Sequence, residues 1–234
     1  MTHELDVSCV DRFRIDVARC LGLQFDETKS GYLAEVLGQR LAATRQTQDD
    51  YLDRLEQDTP RDEIRALAQE LTVSETYFFR NGDQFRAFSD IALPERMRAQ
   101  AARRGLAILS AGCASGEEAY SMAILVNDAA DRSWDVSILG VDVNPAILEK
   151  ARRARFSGWA LRETPADIER RWFQPEGRDF VLDAATRGLV RFEELNLIED
   201  DSRFWQHHVD GARRPRSDDS GTGCRRRRLH LEVE

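Results

Sequence analysis

The sequence predicts an α/β protein in which a helical N-terminal domain precedes an open sheet of parallel strands covered by helices. Two observations predict this class. Residues 8–105 carry apolar side chains at helical spacing and contain no run typical of a strand. After residue 105, short apolar runs alternate with amphipathic segments, and this strand–helix–strand–helix order is typical of a parallel sheet.

The N-terminal domain is predicted to contain four helices. In the first, Phe13, Val17 and Leu21 recur at four-residue spacing and therefore share one face. Further helices are predicted in the segments 29–44, 50–55 and 60–71. We expect Pro60 in the first turn of the last helix, because a missing N–H is tolerated there.

The parallel sheet is predicted from three short apolar segments, LAILSAG (106–112), VSILGVDV (136–143) and LVRFEELNL (189–197). A helix is predicted over SGEEAYSMAILV (115–126). Another begins at Asn144 and Pro145, because asparagine favours the N-cap and proline the first helical position. Residues 156–188 interrupt the alternation with mixed short elements.

The composition is typical of a soluble globular protein. Of the 234 residues, 41% are hydrophobic and 32% are charged, and the formal net charge of −8 argues against nucleic acid as the main partner. The N-terminus lacks the pattern of a signal peptide, and no segment approaches the ~20 apolar residues that a membrane span needs. The four cysteines form no CxxC pair, so we expect neither a metal site nor disulfides, and a cytoplasmic location.

The C-terminal segment 203–234 differs from the rest of the chain. It shows no hydrophobic period, contains three of the four histidines and includes four consecutive arginines, Arg225 to Arg228. We expect a disordered, solvated tail rather than a surface for nucleic acid or membrane.

A glycine turn in LSAGCASGEEAY follows the first predicted strand. Gly112 and Gly116 let the backbone pass close to a ligand, and ligands of open α/β sheets bind at the carboxyl ends of the strands. The turn lacks the fingerprints of dinucleotide and phosphate loops. Two acids, Glu117 and Glu118, suit a cationic ligand or one rich in hydroxyls and amines; alternatively, they only complement the helix dipole.

Asp142 ends the second predicted strand, and Asn144 already provides the N-cap of the next helix. A carboxylate in that position can accept both hydroxyls of a ribose. The alternative is a turn aspartate without a ligand. A glycine turn without phosphate features, together with this acid, is the general layout of methyltransferases that use S-adenosylmethionine (AdoMet).

The segment SETYFFRNGDQF (74–85) contains three consecutive aromatic residues followed by Arg80. Consecutive helical side chains point about 100° apart, so the three rings cannot share one face of a helix. This segment therefore predicts a turn that presents a flat apolar surface beside a fixed guanidinium. The alternative is an aromatic core cluster with a solvated arginine.

Four ordered motifs make the chain resemble the CheR-type methyltransferases, which esterify glutamates of bacterial chemoreceptors. They are a "T-x-F-F-R" turn in LTVSETYFFRNGDQF, a "TGEE-x-YS" helix start in SGEEAYS, an "x-D-I-x-x-x-x-L" strand end in ILGVDVNPAILEKAR, and an "N-L" strand end at Asn196 and Leu197. The resemblance covers residues 10–200 and includes Leu23, Lys29, Arg40, Leu41 and Tyr51 in the N-terminal part.

The resemblance implies a domain organisation. Residues 8–105 would be a helical, receptor-docking domain, and residues 106–202 a Rossmann-like AdoMet-dependent methyltransferase domain. Residues 156–188 would form a small inserted β-subdomain that touches the receptor. The resemblance further implies AdoMet as the cofactor, methyl-accepting chemotaxis receptors as partners, a monomer in the cytoplasm, and a site without metal.

It also implies roles for individual residues. Arg80 would be the catalytic residue, holding the acceptor carboxylate or the methionine carboxylate of AdoMet with its planar fork. The other cofactor contacts would be Ser74, Thr76, Glu117, Asp142, Asn196 and Leu197. Receptor docking would use arginines on exposed helix faces, Arg40 and Arg45 first, and the alternative is that these faces are simply solvated.

The chain departs from the family after Asp201. The family continues with "FD-x-I-x-CRNV-x-x-YF", and the residues 203–234 have no such pattern. Their abundance of arginine, histidine, glycine, proline and serine suggests GC-rich DNA read out of frame, so we expect a frameshifted or truncated catalytic domain. Two alternative functions follow: a non-catalytic receptor-binding fragment, and an AdoMet enzyme with another substrate, which the acidic balance and the T-x-F-F-R turn disfavour.

Overall fold

The computed structural model describes residues 6–72 and 75–199, so Ser74 and the predicted tail 203–234 lie outside the described residues. The helices are α1 Val7–Leu21, α2 Ser30–Thr44, α3 Gln48–Gln57, α4 Arg61–Leu71, α5 Gly82–Ala87, α6 Leu93–Ala99, α7 Glu117–Ala129, α8 Pro145–Arg153, α9 Ala166–Trp172 and α10 Ala184–Gly188. The strands are β1 Gly105–Ala111, β2 Asp135–Asp142, β3 Arg155–Ser157, β4 Phe173–Glu176, β5 Asp179–Leu182 and β6 Val190–Glu194. A π-helical turn, Phe88–Ala92, joins α5 to α6, and 3₁₀ turns lie at Glu27–Lys29 and Gly158–Leu161.

Helices α1 to α4 surround a core of their own. The predicted stripe of Phe13, Val17 and Leu21 is buried there, with Leu33 and Leu67 from the later helices. Thr47 caps α3 by accepting a hydrogen bond from the backbone of Asp50. Pro60 is the N-cap of α4, one position before the predicted first turn.

The larger sheet is parallel, as predicted, and its strand order is β1–β2–β6. Its centre pairs Ile108 with Ile138, and Gly140 with Phe192. Within the described residues, β6 pairs with β2 alone. On the other edge of β6, the Arg152 guanidinium donates a hydrogen bond to the carbonyl of Phe192 at 2.8 Å.

The segment between α8 and β6 forms a second, antiparallel sheet with the order β3–β5–β4. It is joined to the end of α8 by a hydrogen bond from the backbone N–H of Leu182 to the carbonyl of Ala154. Phe156 and Phe173 from this sheet lie in the same buried cluster as Ile138 of the parallel sheet. Both sheets therefore share one core.

The helical core ends earlier in the chain than the predicted boundary at residue 105. Leu71 is the last buried residue of the α1–α4 core, whereas Phe78 and Phe79 belong to the cluster of the sheets. Leu93 of α6 packs with Leu106 of β1 and Val126 of α7. Helices α5 and α6 are thus packed with the α/β part, because their apolar side chains face β1 and α7 rather than the bundle.

Three polar contacts join the helical bundle to the carboxyl ends of the parallel strands. The Asn196 amide donates to the carbonyl of Cys20 at 2.7 Å, and the Asn144 amide donates to the Thr72 hydroxyl at 3.0 Å. Arg65 binds both carboxylate oxygens of Glu194, at 2.6 and 3.0 Å.

Gly22, at the end of α1, lies at the same junction. It adopts a left-handed φ of 71°, and a Cβ there would lie 2.6 Å from a methyl of Ile198. Among the helices of residues 6–72 and 75–199, none is long and apolar enough to cross a bilayer.

Candidate functional site

The carboxyl ends of β1, β2 and β6 lie together at one edge of the parallel sheet, where open α/β sheets bind ligands. The backbone N–H of Cys113, after β1, donates to the carbonyl of Val141 in β2. That of Leu195, after β6, donates to the carbonyl of Asp142. The residues predicted at the three strand ends are therefore adjacent in space.

The turn between β1 and α7 is built from left-handed residues. Gly112, Ala114 and Gly116 have φ values of 69°, 46° and 93°. A Cβ on Gly116 would lie 2.9 Å from the Phe192 ring, so that glycine is needed for packing. Gly112 faces open space, which leaves its backbone accessible to a ligand.

Asp142 is buried and fixes this turn. One carboxylate oxygen accepts a hydrogen bond from the backbone N–H of Ala114, and the other accepts one from Asn144, both at 2.9 Å. Each oxygen of a carboxylate has a second lone pair, so the group can still accept hydrogen bonds from a ligand. The ribose contact of Asp142 therefore stays a prediction. The structure shows in addition that Asp142 shapes the turn.

Glu117 is also buried, as the first residue of α7. Its carboxylate accepts a hydrogen bond from the Ser115 hydroxyl at 2.7 Å. Burial raises the pKa of Glu117 above its ordinary value, because a charge in a poorly solvated place is unfavourable. A cationic ligand would favour the ionised form. Glu118, by contrast, is exposed and accepts a hydrogen bond from Ser110.

The aromatic turn divides its three rings between core and surface. Phe78 is fully buried and packs edge-on against Phe156 and Phe173, with ring centroids 4.7 and 4.9 Å apart. Phe79 packs against Phe85, whereas Tyr77 is partly exposed. Phe79 has a φ of 58°, an outlier for a bulky residue. This left-handed residue turns the chain between Phe78 and Arg80.

Two hydrogen bonds dock this turn on its neighbours. The backbone N–H of Phe79 donates to the Ser121 hydroxyl at 3.0 Å, and that hydroxyl donates to the carbonyl of Glu117 at 2.7 Å. The backbone N–H of Phe78 donates to the carbonyl of Ala160 at 2.9 Å. The turn that carries Arg80 is therefore held against the first turn of α7.

Arg80 itself is exposed. One terminal nitrogen donates to the carbonyl of Glu75 at 2.9 Å, and the guanidinium carbon lies 5.9 Å from the centre of the Tyr77 ring. Thr76 is partly buried in the same segment. The catalytic role of Arg80 and the cofactor contact of Thr76 remain predictions.

Asn196 and Leu197 follow β6 and have different environments. Asn196 is buried, and its amide joins the sheet to α1 through Cys20, so its donor side faces the protein. Leu197 is 46% exposed beside it. The structure thus gives Asn196 a structural contact, and the predicted adenine contacts of both residues remain predictions.

The two arginines predicted to dock the receptor have different environments. The prediction that Arg40 lies on an exposed face is wrong: its side chain is 16% exposed, and Glu63 binds it through two hydrogen bonds of 2.8 Å. The Tyr51 hydroxyl donates to the same carboxylate at 2.7 Å. Arg45 is exposed at the end of α2, so it is the one of the two that can meet a partner.

Sequence reasoning missed several residues that shape the site. Ser121 belongs to the SGEEAYS motif, but no role was predicted for its side chain, although a serine on the buried face of α7 is a usable signal. The pairing of Asn144 with Thr72 and the position of Arg162 had no local signal, because their partners are distant in the chain. Arg162 lies between the rings of Tyr77 and Trp159, with its guanidinium carbon 3.7 and 4.3 Å from the two centres.

Comparison with known proteins gives a family match over more than half of the chain. The profile described as "CheR methyltransferase, SAM binding domain" matches residues 74–210. The match begins at the aromatic turn and includes both sheets.

Curated relatives carry related names. The chain is 33% identical over 141 residues to a chemotaxis protein methyltransferase of Campylobacter jejuni, covering 58% of this chain and 50% of the relative. It is 29% identical over 191 residues to chemotaxis protein methyltransferase 2 of Vibrio cholerae, covering 80% and 66%. It is 33% identical over 180 residues to the probable biofilm formation methyltransferase WspC of Pseudomonas putida, covering 76% and 42%. The chain thus spans half of the Campylobacter relative and less than half of the Pseudomonas relative.

Proposed function

Because the chain belongs to the CheR methyltransferase family, we propose that it transfers the methyl group of AdoMet to glutamate side chains of chemoreceptors. The single observation that carries this proposal is the edge of the parallel sheet. There the open turn at Gly112, the buried acids Glu117 and Asp142, and the aromatic turn docked through Ser121 are assembled together.

The chemistry of this edge fits AdoMet. The accessible backbone at Gly112 allows close approach of a ligand, and the buried carboxyl of Glu117 would gain a cationic partner from the amino group of the methionine part. Asp142 would accept hydrogen bonds from the ribose with its free lone pairs. Thr76, Leu197 and the oxygen of the Asn196 amide would border the remaining parts of the cofactor, and Ser74 is proposed with them.

When bound, AdoMet supplies a methyl group that its sulfonium already activates. A glutamate carboxylate is a nucleophile at neutral pH, so the chain needs no general base, and residues 4–206 contain no histidine. Arg80 would orient the acceptor carboxylate with its planar fork. The Phe78 and Phe79 rings would exclude water from that side of the centre, because they seal the junction beneath Arg80.

We extend the proposal to the partner and the location. The partner would be the cytoplasmic helical region of methyl-accepting receptors, which the enzyme would meet as a monomer in the cytoplasm. Residues 8–105 would serve docking and residues 106–202 catalysis, with Arg45 as a docking contact and the antiparallel sheet within residues 156–188 as the inserted receptor-facing subdomain.

Two measurements on the full chain test the proposal. Calorimetry with AdoMet should show binding, and Asp142→Asn should weaken it by about 1–3 kcal/mol, since a buried acceptor is changed. Transfer of tritiated methyl to receptor membranes should yield a product that releases volatile methanol in alkali, as a carboxyl ester does. Arg80→Ala should lower that rate by about 10²-fold.

Asp183→Asn is the matched control, since Asp183 caps α10 and lies outside the proposed site. Absence of AdoMet binding, or a methylated product that is stable in alkali, would contradict the proposal. Binding to receptor membranes without any transfer would instead assign the chain to the alternative function of a non-catalytic receptor-binding protein.

A further inference from the structure

An arginine that stacks on two aromatic rings lies at the surface beside the aromatic turn, with 21% of its side chain exposed. Arg162 follows the 3₁₀ turn Gly158–Leu161, and Tyr77 precedes the buried Phe78. The guanidinium carbon of Arg162 lies 3.7 Å from the centre of the Tyr77 ring and 4.3 Å from that of Trp159. We refer to Tyr77, Arg80, Trp159 and Arg162 as the cation–aromatic surface.

The members of this surface are held in place by the backbone. Arg162 donates to the carbonyl of Trp159 at 2.8 Å, and the hydrogen bond from Phe78 to Ala160 joins the two segments. A guanidinium stacked between rings and held by a hydrogen bond loses little further freedom on binding. The surface is therefore preorganised.

Two features of the surface are typical of a binding face rather than of packing. Trp159 is 68% exposed. A large exposed tryptophan is typical of a binding face, because tryptophan is enriched at interfaces. Arg80 lies on the same Tyr77 ring, at 5.9 Å, so two guanidiniums flank one exposed aromatic patch in a chain with a net charge of −8. Glu75 forms an ion pair with Arg162 at 3.6 Å, and its side chain is 69% exposed. Because exposed ion pairs are weak, an incoming carboxylate can replace Glu75.

We propose that the cation–aromatic surface binds an acidic helical segment of a protein and thereby selects which glutamates reach Arg80. The inference rests on the proposed function. Carboxylates one helical turn apart, at i and i+4, are about 5–6 Å apart at their Cβ atoms, a spacing that two guanidiniums on one ring can meet. One carboxylate lies at Arg80 for methylation, the other binds Arg162, and an apolar side chain between them packs on Trp159. Arg162 and Trp159 are then specificity-determining residues.

Peptide binding without AdoMet tests the inference. The probe is a fluorescein-labelled alanine-based helix of ~18 residues with glutamates at two central positions i and i+4, and its twin carries glutamines there. We expect fluorescence anisotropy to show tighter binding of the glutamate peptide, and weaker binding at high salt. Trp159→Ala and Arg162→Gln should each weaken it by about 3- to 30-fold, because each removes the stacked cation–aromatic contact.

Arg171→Gln is the matched control. Arg171, in α9, also stacks on a tryptophan, Trp172, at 4.8 Å, and it forms an ion pair with Asp128 of α7 at 2.6 Å. Arg162→Lys keeps the charge but loses the flat stack, so it should resemble Arg162→Gln more than the unmodified protein. Thermal unfolding of every variant checks that the fold is retained.

The inference holds only if Trp159→Ala and Arg162→Gln both weaken binding of the glutamate peptide more than Arg171→Gln does; any other pattern overturns it. Equal binding of both peptides would mean that the surface binds helices without recognising their carboxylates, and this result would also overturn the inference. AdoMet calorimetry on the same preparations separates the two claims. If the unmodified chain does not bind AdoMet, the proposed function is contradicted, whereas the result of the peptide experiment is unaffected.

Discussion

Burial determines how Glu117 behaves as an acid. Its pKa is raised above 4.5 because the ionised carboxyl is poorly solvated at the start of α7. The folded state therefore binds a proton more tightly than the unfolded state, and ionisation at higher pH costs stability. This penalty is absent below the unfolded pKa and grows as the pH rises through the raised pKa. A cationic ligand would remove it.

Glu117→Gln should therefore stabilise the ligand-free protein at neutral pH and weaken AdoMet binding. The midpoint of thermal unfolding should rise by about 2–4 °C for each kcal/mol of relieved penalty. The gain should disappear near pH 4, where the carboxyl is protonated in both states. Calorimetric scans across this pH range and AdoMet titrations measure both effects. Glu118→Gln, at the exposed neighbour, is the control, and an equal gain in both variants would contradict the explanation by burial.

Ser121 provides the second prediction for a single residue. Ser121→Ala would leave the backbone N–H of Phe79 buried without its acceptor, which costs about 1–3 kcal/mol. Because that bond holds the turn carrying Arg80, methyl transfer should fall more than AdoMet affinity does. Denaturant unfolding and transfer rates measure the two losses. Ser89→Ala, whose hydroxyl contacts only near neighbours in the chain, the Arg86 carbonyl and the Asp90 carboxylate, should change stability by less than about 0.5 kcal/mol. A similar effect of both substitutions would exclude a special role for Ser121.

Single residues also show where prediction from the sequence ended. The apolar stripe of α1 and the acids at the strand ends could be predicted because their signals are local. The exposure of Arg40 could not, since its partner Glu63 lies on another helix, 23 positions away. Nor could the pairing of Asn196 with Cys20 be predicted, because it joins residues 176 positions apart.

At the scale of elements, the three parallel strands could be predicted to within a few residues. Their apolar runs are typical of strands buried on both faces. The short strands β3, β4 and β5 have only three or four residues each, too few for a period to show. That α5 and α6 pack on the α/β part could not be predicted for another reason: helical spacing shows that a face is apolar, but not which core covers it.

Asn144 connects two elements and allows a prediction that separates its two contacts. Its side-chain oxygen caps α8 at the N–H groups of Ala146 and Ile147, while its amide donates to Thr72. Asn144→Ala removes both and should cost about 1–2 kcal/mol. Asn144→Asp keeps the cap and loses only the amide donor to Thr72. Its loss of stability should therefore be smaller, and it should equal the contribution of the contact with the end of α4. Urea unfolding compares them, and equal losses would mean that the cap contributes nothing.

At the scale of the whole molecule, the described residues 6–72 and 75–199 form one compact unit, although three apolar clusters are present. The bundle and the sheets are in contact through a few side chains. One of them is Asn196, whose buried amide donates a hydrogen bond to the Cys20 carbonyl. Trp134, Trp159 and Trp172 lie in the α/β part and no tryptophan precedes residue 130, so tryptophan fluorescence does not follow the helical bundle, whereas circular dichroism follows both parts.

We expect fluorescence and circular dichroism to report one coincident urea transition in the unmodified chain. Asn196→Ala leaves the Cys20 carbonyl without its donor and should weaken the junction by about 1–3 kcal/mol. The two transitions should then separate, with the helical signal lost at lower urea. Coincident transitions in this variant would show that the remaining contacts, the Asn144–Thr72 and Arg65–Glu194 pairs and the apolar packing of Ile198 on Gly22, suffice to couple the two parts.

The Arg152 contact on β6 has a consequence for behaviour in concentrated solution. Leu189 and Leu195 direct their backbone groups toward β2, so the carbonyl of Phe192 faces the other way, toward the outer rim of the sheet. Within residues 6–72 and 75–199 no strand pairs with that rim, and an unpaired rim is a template on which a second chain can add a strand and begin to aggregate. The guanidinium occupies that acceptor with a bulky cation, which blocks an incoming strand. Arg152→Ala should therefore raise light scattering over time at high protein concentration while leaving the fold intact, so one surface arginine would slow self-association along this strand.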